Sequence, residues 1–533
     1  MNTTTIKSLL SIVLAGSIGT AAFAQNDINF DFLDVNNIKA TINASGHLFG
    51  SLQNIPENER NGFEIKNADG KHAVRIAGLW MGGQEGTKYH INAPTFGVWG
   101  RDVYQGPVMK QEFYNAAEDA KWNRVWKVSK ETIKNHIENF ASKDYVMPEE
   151  IANWPASGDI SKGQSPNLAP FVDVNANGIY DPNNGDYPSI KGDQAILFIY
   201  NDHRAMHTES IGSFPMGIEV IGMAYAFANP FNKAYNNTIF VDFTIINRSG
   251  VDYTNAKLGV FTDIDLGSVT TNEFEGYDSK RSTYYGYQAD NTDQMGRHKN
   301  PHMAVTLLNE PFSGFMTYNN DCNLNGNPIM PTDYYFYLNN YWKDGMAMTK
   351  GGNGKGGNVH LNYMYDGNPS TGEGWTEKSV NNTPGDRRGL GMVGPFEFKA
   401  GHIKKISVAY NFSGDFEDMQ KNADKYSNDF KNNSGPFAPE TPALAASTGI
   451  NLKSMDMLLY PNPANTAATL SFSNPANEVY SVNVYDITGR KVLSETQLTG
   501  TQYQLNTNKL EKGLYVVELL FKDRRNSSRL VIQ

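Results

Sequence analysis

The sequence predicts a mainly β protein, and three observations lead to that fold class. Only 19% of the 533 residues are charged, while aromatic residues reach 12% and glycine occupies 49 positions, a mixture typical of strand-rich and turn-rich domains. Short runs of alternating apolar and polar residues recur along most of the chain, separated by Gly, Asn and Asp. One stretch, residues 116–165, has helical spacing instead. We therefore expect a multi-domain β-sandwich body with a short helical insertion, followed by a small C-terminal β-domain.

The N-terminus has the features of a signal peptide. Lys7 precedes the apolar residues 9–15, and Ala22-Phe23-Ala24 has the small-x-small form of a signal peptidase site. The apolar stretch is too short to span a membrane, and no later stretch approaches the ~18 consecutive apolar residues that a spanning helix needs. The sequence therefore predicts a signal peptide over residues 1–24, export of the chain, and no transmembrane segment in the mature protein.

The first part of the body divides into two predicted regions. Residues 25–115 are predicted to form an N-terminal β-module, because short apolar runs such as 42–52 and 72–80 alternate with turn residues. Residues 116–165 are predicted to be a helical segment. Its apolar residues recur at three- and four-residue steps: Trp122, Val125, Trp126, Ile133, Ile137 and Phe140.

Residues 166–431 are predicted to form the main β-sandwich. Several runs are apolar enough for strands that are buried on both faces: 195–200, 218–227, 237–246 and 258–265. Four later runs extend the same architecture: 303–308, 333–342, 359–365 and 402–412. Residues 432–455, rich in Asn, Ser, Pro and Ala, are predicted to be a linker to a separate block over residues 456–533.

The charge and the cysteine count limit the partners and the sources of stability. The formal net charge of -10 argues against a nucleic-acid partner, because phosphate binding needs a basic surface. The single cysteine, Cys322, cannot form an internal disulfide. Acidic side chains instead suit divalent cations, which prefer oxygen ligands.

Residues 173–186 resemble the first part of a calcium-binding loop. Oxygen-bearing side chains lie at positions 1, 3, 5 and 9, and the glycine at position 6 permits a sharp turn. Asn184 stands at position 12, where such loops carry a glutamate, so the expected replacement is Asp186 or a carboxylate from a neighbouring strand. We expect a structural Ca²⁺ with these ligands: Asp173, Asn175, Asn177, the Ile179 carbonyl, Asp181 and Asp186. The alternative is an Asx-rich turn that needs no metal.

A second acidic group lies at the end of a predicted strand. Asp263 and Asp265 are two residues apart, so both side chains would lie on one face of the strand. Glu273, Glu275 and Asp278 follow after a short loop. We expect a second calcium site formed by Asp263, Asp265 and Asp278. The alternative is a pair of glycosidase carboxylates, whose separation the sequence does not define.

The C-terminal block, residues 456–533, is predicted to be a compact, immunoglobulin-like sandwich of short strands. Four of its segments, 460–464, 484–492, 510–517 and 529–533, resemble in order and spacing the type A C-terminal sorting domain of the type IX secretion system of Bacteroidetes. The motif residues that carry the resemblance include Pro461, Asn462, Pro463, Asp486, Gly489, Lys512 and Gly513. The resemblance implies recognition by the type IX secretion machinery, export across the outer membrane, and attachment to, or release from, the cell surface.

The body resembles a recurrent group of large secreted Bacteroidetes proteins that end in this domain and have no assigned activity. The matching segments are 122–126, 173–181, 192–194, 262–267, 341–345 and 394–396. This resemblance implies a shared fold and the calcium loop. We therefore expect a secreted or surface-attached binding, adhesion or structural protein with a glycan or protein ligand. The alternative is an extracellular hydrolase that acts on glycans.

Overall fold

The chain forms two compact units, Met1–Pro439 and Glu440–Gln533, which we call the body and the tail domain. A computed structural model describes these residues: 28–50, 52, 62–68, 71–97, 100–266, 272–290, 300–438, 457–472, 474, 477–486, 490–521 and 525–533. The predicted signal peptide, 1–24, and residues 439–455 of the predicted linker lie outside the described residues.

The body is built mainly from strands. Those of its first half are β1 (Phe30–Leu33), β2 (Ile38–Asn43), β3 (Phe63–Ile65), β4 (Lys71–His72), β5 (Val74–Glu85), β6 (Lys88–Asn92), β7 (Tyr104–Gln105), β8 (Trp126–Ser129), β9 (Phe171–Val172), β10 (Tyr187–Pro188), β11 (Gln194–Asn201) and β12 (Ile218–Ala226). Those of its second half are β13 (Thr238–Asn247), β14 (Tyr253–Ile264), β15 (Glu273–Asp278), β16 (Thr283–Gln288), β17 (His302–Leu307), β18 (Gly314–Asn319), β19 (Arg387–Phe398) and β20 (Ile403–Ser413). The helices are α1 (Ala116–Trp122), α2 (Lys130–Asn139), α3 (Glu149–Ala152), α4 (Lys233–Asn236), α5 (Pro331–Leu338) and α6 (Phe416–Asn432).

A nine-stranded sheet lies at the centre of the body. Its strand order is β15-β16-β17-β20-β13-β12-β11-β7, and β8 also pairs with β11. A five-stranded sheet, β18-β19-β14-β5-β6, packs against one face of it, as the stacked rings of Tyr284 and Phe315 show at 5.1 Å between centroids. The predicted β-sandwich class is therefore confirmed for the body.

Both faces of the nine-stranded sheet are buried. Along β11, Ile196 and Phe198 enter the core that is shared with the five-stranded sheet. Leu197 and Ile199 point the opposite way, into a second core. Side chains from the helical segment and from α6 close this second core: Trp122, Trp126, Ile133, Ala423 and Tyr426. The central sheet is thus covered by a sheet on one side and by helices and loops on the other.

Most of the predicted strands are confirmed, because they coincide with the buried strands of the two sheets. The runs 195–200, 218–227, 237–246 and 258–265 become β11, β12, β13 and β14. The runs 303–308 and 402–412 become β17 and β20. The run 359–365 contains only isolated bridges, such as the one between Phe315 and Tyr363, so the strand predicted there is wrong.

The strand predicted over residues 333–342 is also wrong, because Pro331–Leu338 forms α5. The Asp333 Oδ2 accepts hydrogen bonds from the backbone N–H groups of Ile329 and Met330, both at 3.0 Å, and so caps the helix. The buried residues follow helical spacing: Tyr334, Tyr337 and Leu338. These aromatic rings belong to the core, where Tyr334 packs edge-on against Trp80.

The boundaries predicted at residues 115 and 165 need correction, because neither separates a compact unit within residues 1–439. The strand β5 of the predicted N-terminal module pairs with β14 along eight residues, with Trp80 opposite Gly259. The helical segment is interrupted by β8, which pairs with β11 so that Trp126 lies opposite Leu197. Long-range strand pairing therefore joins all three predicted regions into one unit.

We expect Gly222→Ala to destabilise the body. Gly222 lies in β12 opposite Phe198, and a Cβ added there would come within 2.0 Å of the Phe198 ring. Overpacking of this kind should lower the free energy of unfolding by about 1–3 kcal/mol, measured by urea denaturation. Gly250→Ala is the control, because a Cβ at Gly250 would meet nothing within 4 Å. Equal losses in the two variants would contradict this packing.

Candidate functional site

A polar pocket of about 410 Å³ opens where β18 ends and β19 begins. Asn319 and Arg387 are opposite each other in the pairing of these two strands, which places both side chains at the pocket. Amide side chains dominate its lining: Asn319, Asn320, Asn325, Asn353 and Asn382. We call this feature the asparagine pocket.

The charged side chains that line the asparagine pocket are held by other protein groups. The Arg387 Nη2 donates to the Glu377 Oε2 at 2.9 Å, and its Nη1 donates to the Asn319 Oδ1 at 2.8 Å. The Asp386 carboxylate accepts from the Arg388 Nη1 at 2.6 Å and from the Asn320 Nδ2 at 2.8 Å. These bonds pair Glu377 and Asp386 with guanidinium groups, while the Asp321 carboxylate in the lining accepts from the Asn323 N–H at 2.8 Å.

A group of four carboxylates lies behind this wall, and we call it the acidic cluster: Asp263, Asp265, Glu273 and Glu275. Asp263 is 1% exposed, and its Oδ2 lies 3.3 Å from the Arg388 Nη2. Burial raises the pKa of Asp263 to about 7, while Arg388 acts in the opposite direction. One guanidinium thus faces carboxylates from both the pocket wall and the acidic cluster.

The carboxyl groups of Glu273 and Glu275 have fewer partners than that of Asp263. Each is 1% exposed, and none of their four carboxylate oxygens has a hydrogen-bond partner among the described residues. Burial raises the pKa of Glu273 to about 9, with Asp265 as the next contribution. Burial raises the pKa of Glu275 to about 8, although the nearby Thr317 hydroxyl lowers it. Carboxyl groups in this setting carry protons at neutral pH or require a cation.

A glycine makes room for one of these carboxylates. Gly389 lies in β19, and a Cβ there would stand 3.1 Å from the Glu275 Oε1 and 2.8 Å from the Tyr284 ring. The close approach of the nine-stranded sheet to the five-stranded sheet therefore depends on the absence of a side chain at this position.

The residues of the second predicted calcium site, Asp263, Asp265 and Asp278, do not lie together. Asp278 belongs to a different ion pair, in which its Oδ2 accepts from the Arg281 Nη1 at 2.7 Å and from the Gln420 Nε2 at 2.9 Å. It lies five residues beyond Glu273 in β15, or about 16 Å along the strand. Asp263 and Asp265 instead act on Glu273, whose pKa both raise through their negative charge.

The first predicted calcium loop, residues 173–186, folds as a tight turn around Asp181. Three amide groups donate to its carboxylate: the Nδ2 atoms of Asn175, Asn177 and Asn184. The Asn184 hydrogen bond is the main reason that the pKa of Asp181 lies below its usual value. Asp173 accepts from the backbone N–H groups of Asn177 at 3.1 Å and of Gly178 at 2.7 Å.

The other two predicted ligands of this loop differ in their surroundings. Asp186 is fully buried, and its two oxygens accept from the backbone N–H groups of Val174 at 2.8 Å and Asp181 at 3.0 Å. Burial raises the pKa of Asp186. The Ile179 side chain is 65% exposed, and its N–H donates to the Asn177 Oδ1. Across the described residues, no three His, Cys, Asp or Glu side chains are arranged to hold a metal.

The tail domain is a separate sandwich with its own core. Its strands are β21 (Met457–Tyr460), β22 (Ala467–Phe472), β23 (Tyr480–Asp486), β24 (Lys491–Leu498), β25 (Gln502–Asn506), β26 (Gly513–Leu520) and β27 (Arg525–Ile532). They form a three-stranded sheet, β21-β22-β25, and a four-stranded sheet, β24-β23-β26-β27. The core between the sheets includes Leu470, Val482, Val517 and Leu530.

One predicted motif residue, Asn462, ties the two ends of the tail domain together. The Asn462 Nδ2 donates to the Arg529 carbonyl at 2.6 Å, and its Oδ1 accepts from the Val531 N–H at 2.9 Å. Pro461 and Pro463 flank this brace and are exposed.

Three of the remaining motif residues, Asp486, Lys512 and Gly513, lie at or beside strand ends of the tail domain. The Asp486 carboxylate accepts from the Arg490 side chain and backbone and so closes the turn between β23 and β24. Lys512 is exposed, and Gly513 begins β26 with a φ of 157°. Gly489 lies outside the described residues.

Comparison with known families agrees with this architecture. Residues 458–533 match the family model described as the secretion system C-terminal sorting domain. The chain is therefore a secreted protein that carries a C-terminal sorting domain. It is a cargo of the type IX secretion system, and it is directed to the outer cell surface. None of the described helices is long and apolar enough to cross a membrane.

The comparisons say little about the body. No curated protein matches the chain. Among solved structures, a polysaccharide lyase has 8% identity and a TM-score of 0.18, with 65% of this chain and 37% of that chain covered. Dimeric latent PorU from Porphyromonas gingivalis has 10% identity and a TM-score of 0.13, with 60% and 32% covered. The BSP domain of a biofilm-associated protein has 9% identity and a TM-score of 0.14, with 95% and 81% covered.

This chain spans well under two thirds of the polysaccharide lyase and of PorU. At this distance, the likenesses do not define an activity for the body.

We expect a chain that lacks residues 456–533 to remain in the periplasm, because the sorting domain is the part that the type IX machinery recognises. The measurement is the fraction of the protein in the periplasm, on the cell surface and in the medium. Gly250→Ala in the full-length chain is the control for expression, since it should leave the tail domain intact. Normal arrival of the truncated chain outside the cell would contradict the role of the tail domain.

Proposed function

We propose that the body is a binding protein displayed or released outside the cell, and that the asparagine pocket binds an uncharged, hydroxyl-rich ligand such as a glycan. The observation that carries this proposal is a pocket lined by five asparagines, in which Arg387 is paired with Glu377 and Asp386 with Arg388. The amides of Asn325 and Asn353 can offer both donors and acceptors to sugar hydroxyls, while those of Asn319, Asn320 and Asn382 are bonded within the pocket wall. The volume of about 410 Å³ lies within the usual ~300–1,000 Å³ range of small-ligand sites.

The pairing of charges favours binding over hydrolysis. A glycosidase needs two carboxylates that flank the scissile bond. In the asparagine pocket, Glu377 is held by Arg387 and Asp386 by Arg388, which leaves Asp321 as the one lining carboxylate without an arginine partner among the described residues, where a glycosidase needs two. Glu273 and Glu275 have raised pKa values, as a general acid would, but they lie on one strand and are buried.

We expect Asn353→Ala to weaken glycan binding by roughly five- to tenfold, because one lost hydrogen bond is worth about 1 kcal/mol. Asn353 is exposed and lines the pocket, so its removal should leave the core unchanged. The measurement is a titration of the purified body with glycans that bind it on an array. Asn135→Ala on α2 is the matched control, because Asn135 does not line the pocket.

A broad hydrolase screen on the same protein separates the two functions. Release of sugar by the body, abolished by Glu275→Gln, would support the hydrolase and contradict the binding protein. Binding without turnover supports the proposal.

We also propose that the loop of residues 173–186 binds a structural calcium ion. Its support is the convergence of three asparagine amides on Asp181, beside Asp173. Rotation of the Asn184 amide exchanges its oxygen and nitrogen and presents the oxygen to a cation at Asp181, whereas the oxygens of Asn175 and Asn177 already accept from the N–H groups of Asn177 and Ile179. In this arrangement Asp186 braces the loop through two backbone N–H groups, and the ligands are the more exposed groups of the turn.

We expect EDTA to lower the Tm of the mature chain, because a metal bound only by the native state stabilises it by mass action. Asp181→Asn should reduce this difference between calcium and EDTA, since it removes the central carboxylate of the loop. The measurement is thermal denaturation in both buffers, with Asp252→Asn, outside the loop, as the matched control. Unchanged behaviour of Asp181→Asn would count against calcium at this loop.

A further inference from the structure

The acidic cluster contains a small group of buried oxygens without partners. Among the described residues, both carboxylate oxygens of Glu273 and the Oε1 of Gln288 are buried and make no hydrogen bond. Glu273 is 1% exposed, and Gln288 is fully buried. Buried polar groups are nearly always satisfied by protein or solvent, so an uncompensated group of this kind indicates a missing ligand.

These oxygens belong to neighbouring side chains. Glu273 and Gln288 are directly opposite each other in the hairpin of β15 and β16. Side chains opposite each other in an antiparallel pair share one face of the sheet, with their Cβ atoms about 5 Å apart. Their terminal oxygens can therefore reach one common ligand.

The orientation of the Gln288 amide is fixed by a neighbour. Its Nε2 donates to the Leu266 carbonyl at 2.9 Å, and a flipped amide would place two acceptors against each other there. The Oε1 must therefore point away from Leu266. The Leu266 N–H lowers the pKa of Glu273 from nearby, but it forms no hydrogen bond to either Glu273 oxygen.

The charge around Glu273 favours a cation. Asp265, Asp386 and Asp263 all raise its pKa through their negative charge. The Arg388 guanidinium pairs with Asp263 and Asp386, while Arg75 acts on Asp263 and Arg387 on Glu275 through their positive charge. The groups that act most strongly on Glu273 are carboxylates and the Leu266 N–H, and a buried carboxylate in such surroundings costs free energy unless a positive charge is bound.

We propose that Glu273, Gln288 and Asp265 bind one divalent cation of the calcium class at the end of the hairpin of β15 and β16. These ligands are all oxygens, and the group contains no thiolate or imidazole, which argues for calcium or magnesium over zinc or copper. Two carboxylates and one amide leave coordination positions for water, as a six- to eight-coordinate Ca²⁺ requires. The site is one residue from the exposed pair of Asn272 and Asp290, so its path to solvent is short.

The site is independent of the calcium loop at residues 173–186, and it does not require the glycan ligand. It does lie against the asparagine pocket, because the backbone groups of Glu273 and Gly385 are hydrogen-bonded to each other, and Gly385 lines the pocket.

The test counts calcium ions on the mature chain by native mass spectrometry after removal of metal and addition of CaCl₂. An Asp173→Asn/Asp181→Asn background removes the loop of residues 173–186 from the count. In this background we expect Glu273→Gln to lose one bound ion. Glu275→Gln is the matched control on the same strand and face, because it lies opposite Gly286 and has no amide across from it. The control should keep the ion.

Thermal denaturation gives a second readout, because the difference in Tm between the parent and Glu273→Gln should depend on whether calcium is present. In calcium, the parent should melt at a higher temperature than Glu273→Gln. In EDTA, Glu273→Gln should melt at the same temperature as the parent or higher, because the variant no longer buries a carboxyl group. Gln288→Leu, which keeps the size but removes the oxygen, should also weaken calcium binding if Glu273→Gln does not fold.

Three results would overturn the proposal. The first is an unchanged calcium count in Glu273→Gln. The second is equal loss of the ion in Glu273→Gln and Glu275→Gln. The third is a parent chain that gains no Tm from calcium in the Asp173→Asn/Asp181→Asn background.

Discussion

The burial of the central nine-stranded sheet on both faces is the constraint on which the body depends. Neighbouring residues of β11, such as Leu197 and Phe198, must both be apolar because each faces a different core. This requirement explains why the long apolar runs do not alternate. It also forces two layers to form, one from a second sheet and one from helices and loops, since an apolar face left in water would be unstable. The loop of residues 173–186 belongs to the second layer, where Tyr180 donates to the Ile151 carbonyl.

The same constraint concentrates polar chemistry at the ends of the strands. Side chains in the middle of the sheets have no access to water. Buried polar side chains near the sheet ends are either hydrogen-bonded or remain without a partner, and in that case they lower the stability of the fold. Arg387 and Glu377 illustrate the first case at the asparagine pocket. Glu273 and Glu275 illustrate the second. Two neighbouring sets of charged residues therefore differ: Glu377 is paired with Arg387, whereas the carboxylates of Glu273 and Glu275 have no hydrogen-bond partner among the described residues.

The sequence predicted the strands that are buried on both faces, because their composition alone requires a sheet interior. It failed where aromatic residues suit a helix and a strand equally well. In α5 the dense aromatic run resembles a strand, and only Pro331 and the Asp333 cap indicate a helix. The helix α6 was missed, although Phe416, Met419 and Ala423 follow helical spacing after the capping Asp415.

The domain boundaries and the residues that form each site were harder to predict, because both depend on pairing between strands far apart in the sequence. Nothing local to β5 indicates that it will pair with β14. From the sequence, Asp278 is as plausible a partner for Asp263 as Glu273 is. In the structure Asp278 lies at the far end of β15, and Glu273 is the residue whose pKa Asp263 raises. The fold of the tail domain was easier to predict, because its strands pair only with one another. Asn462, which follows β21, also bonds to the last strand, β27. A domain that folds by itself can carry the export signal whatever the structure of the body. The function of the body therefore depends on the body's own residues, namely the buried carboxylates and the asparagine pocket.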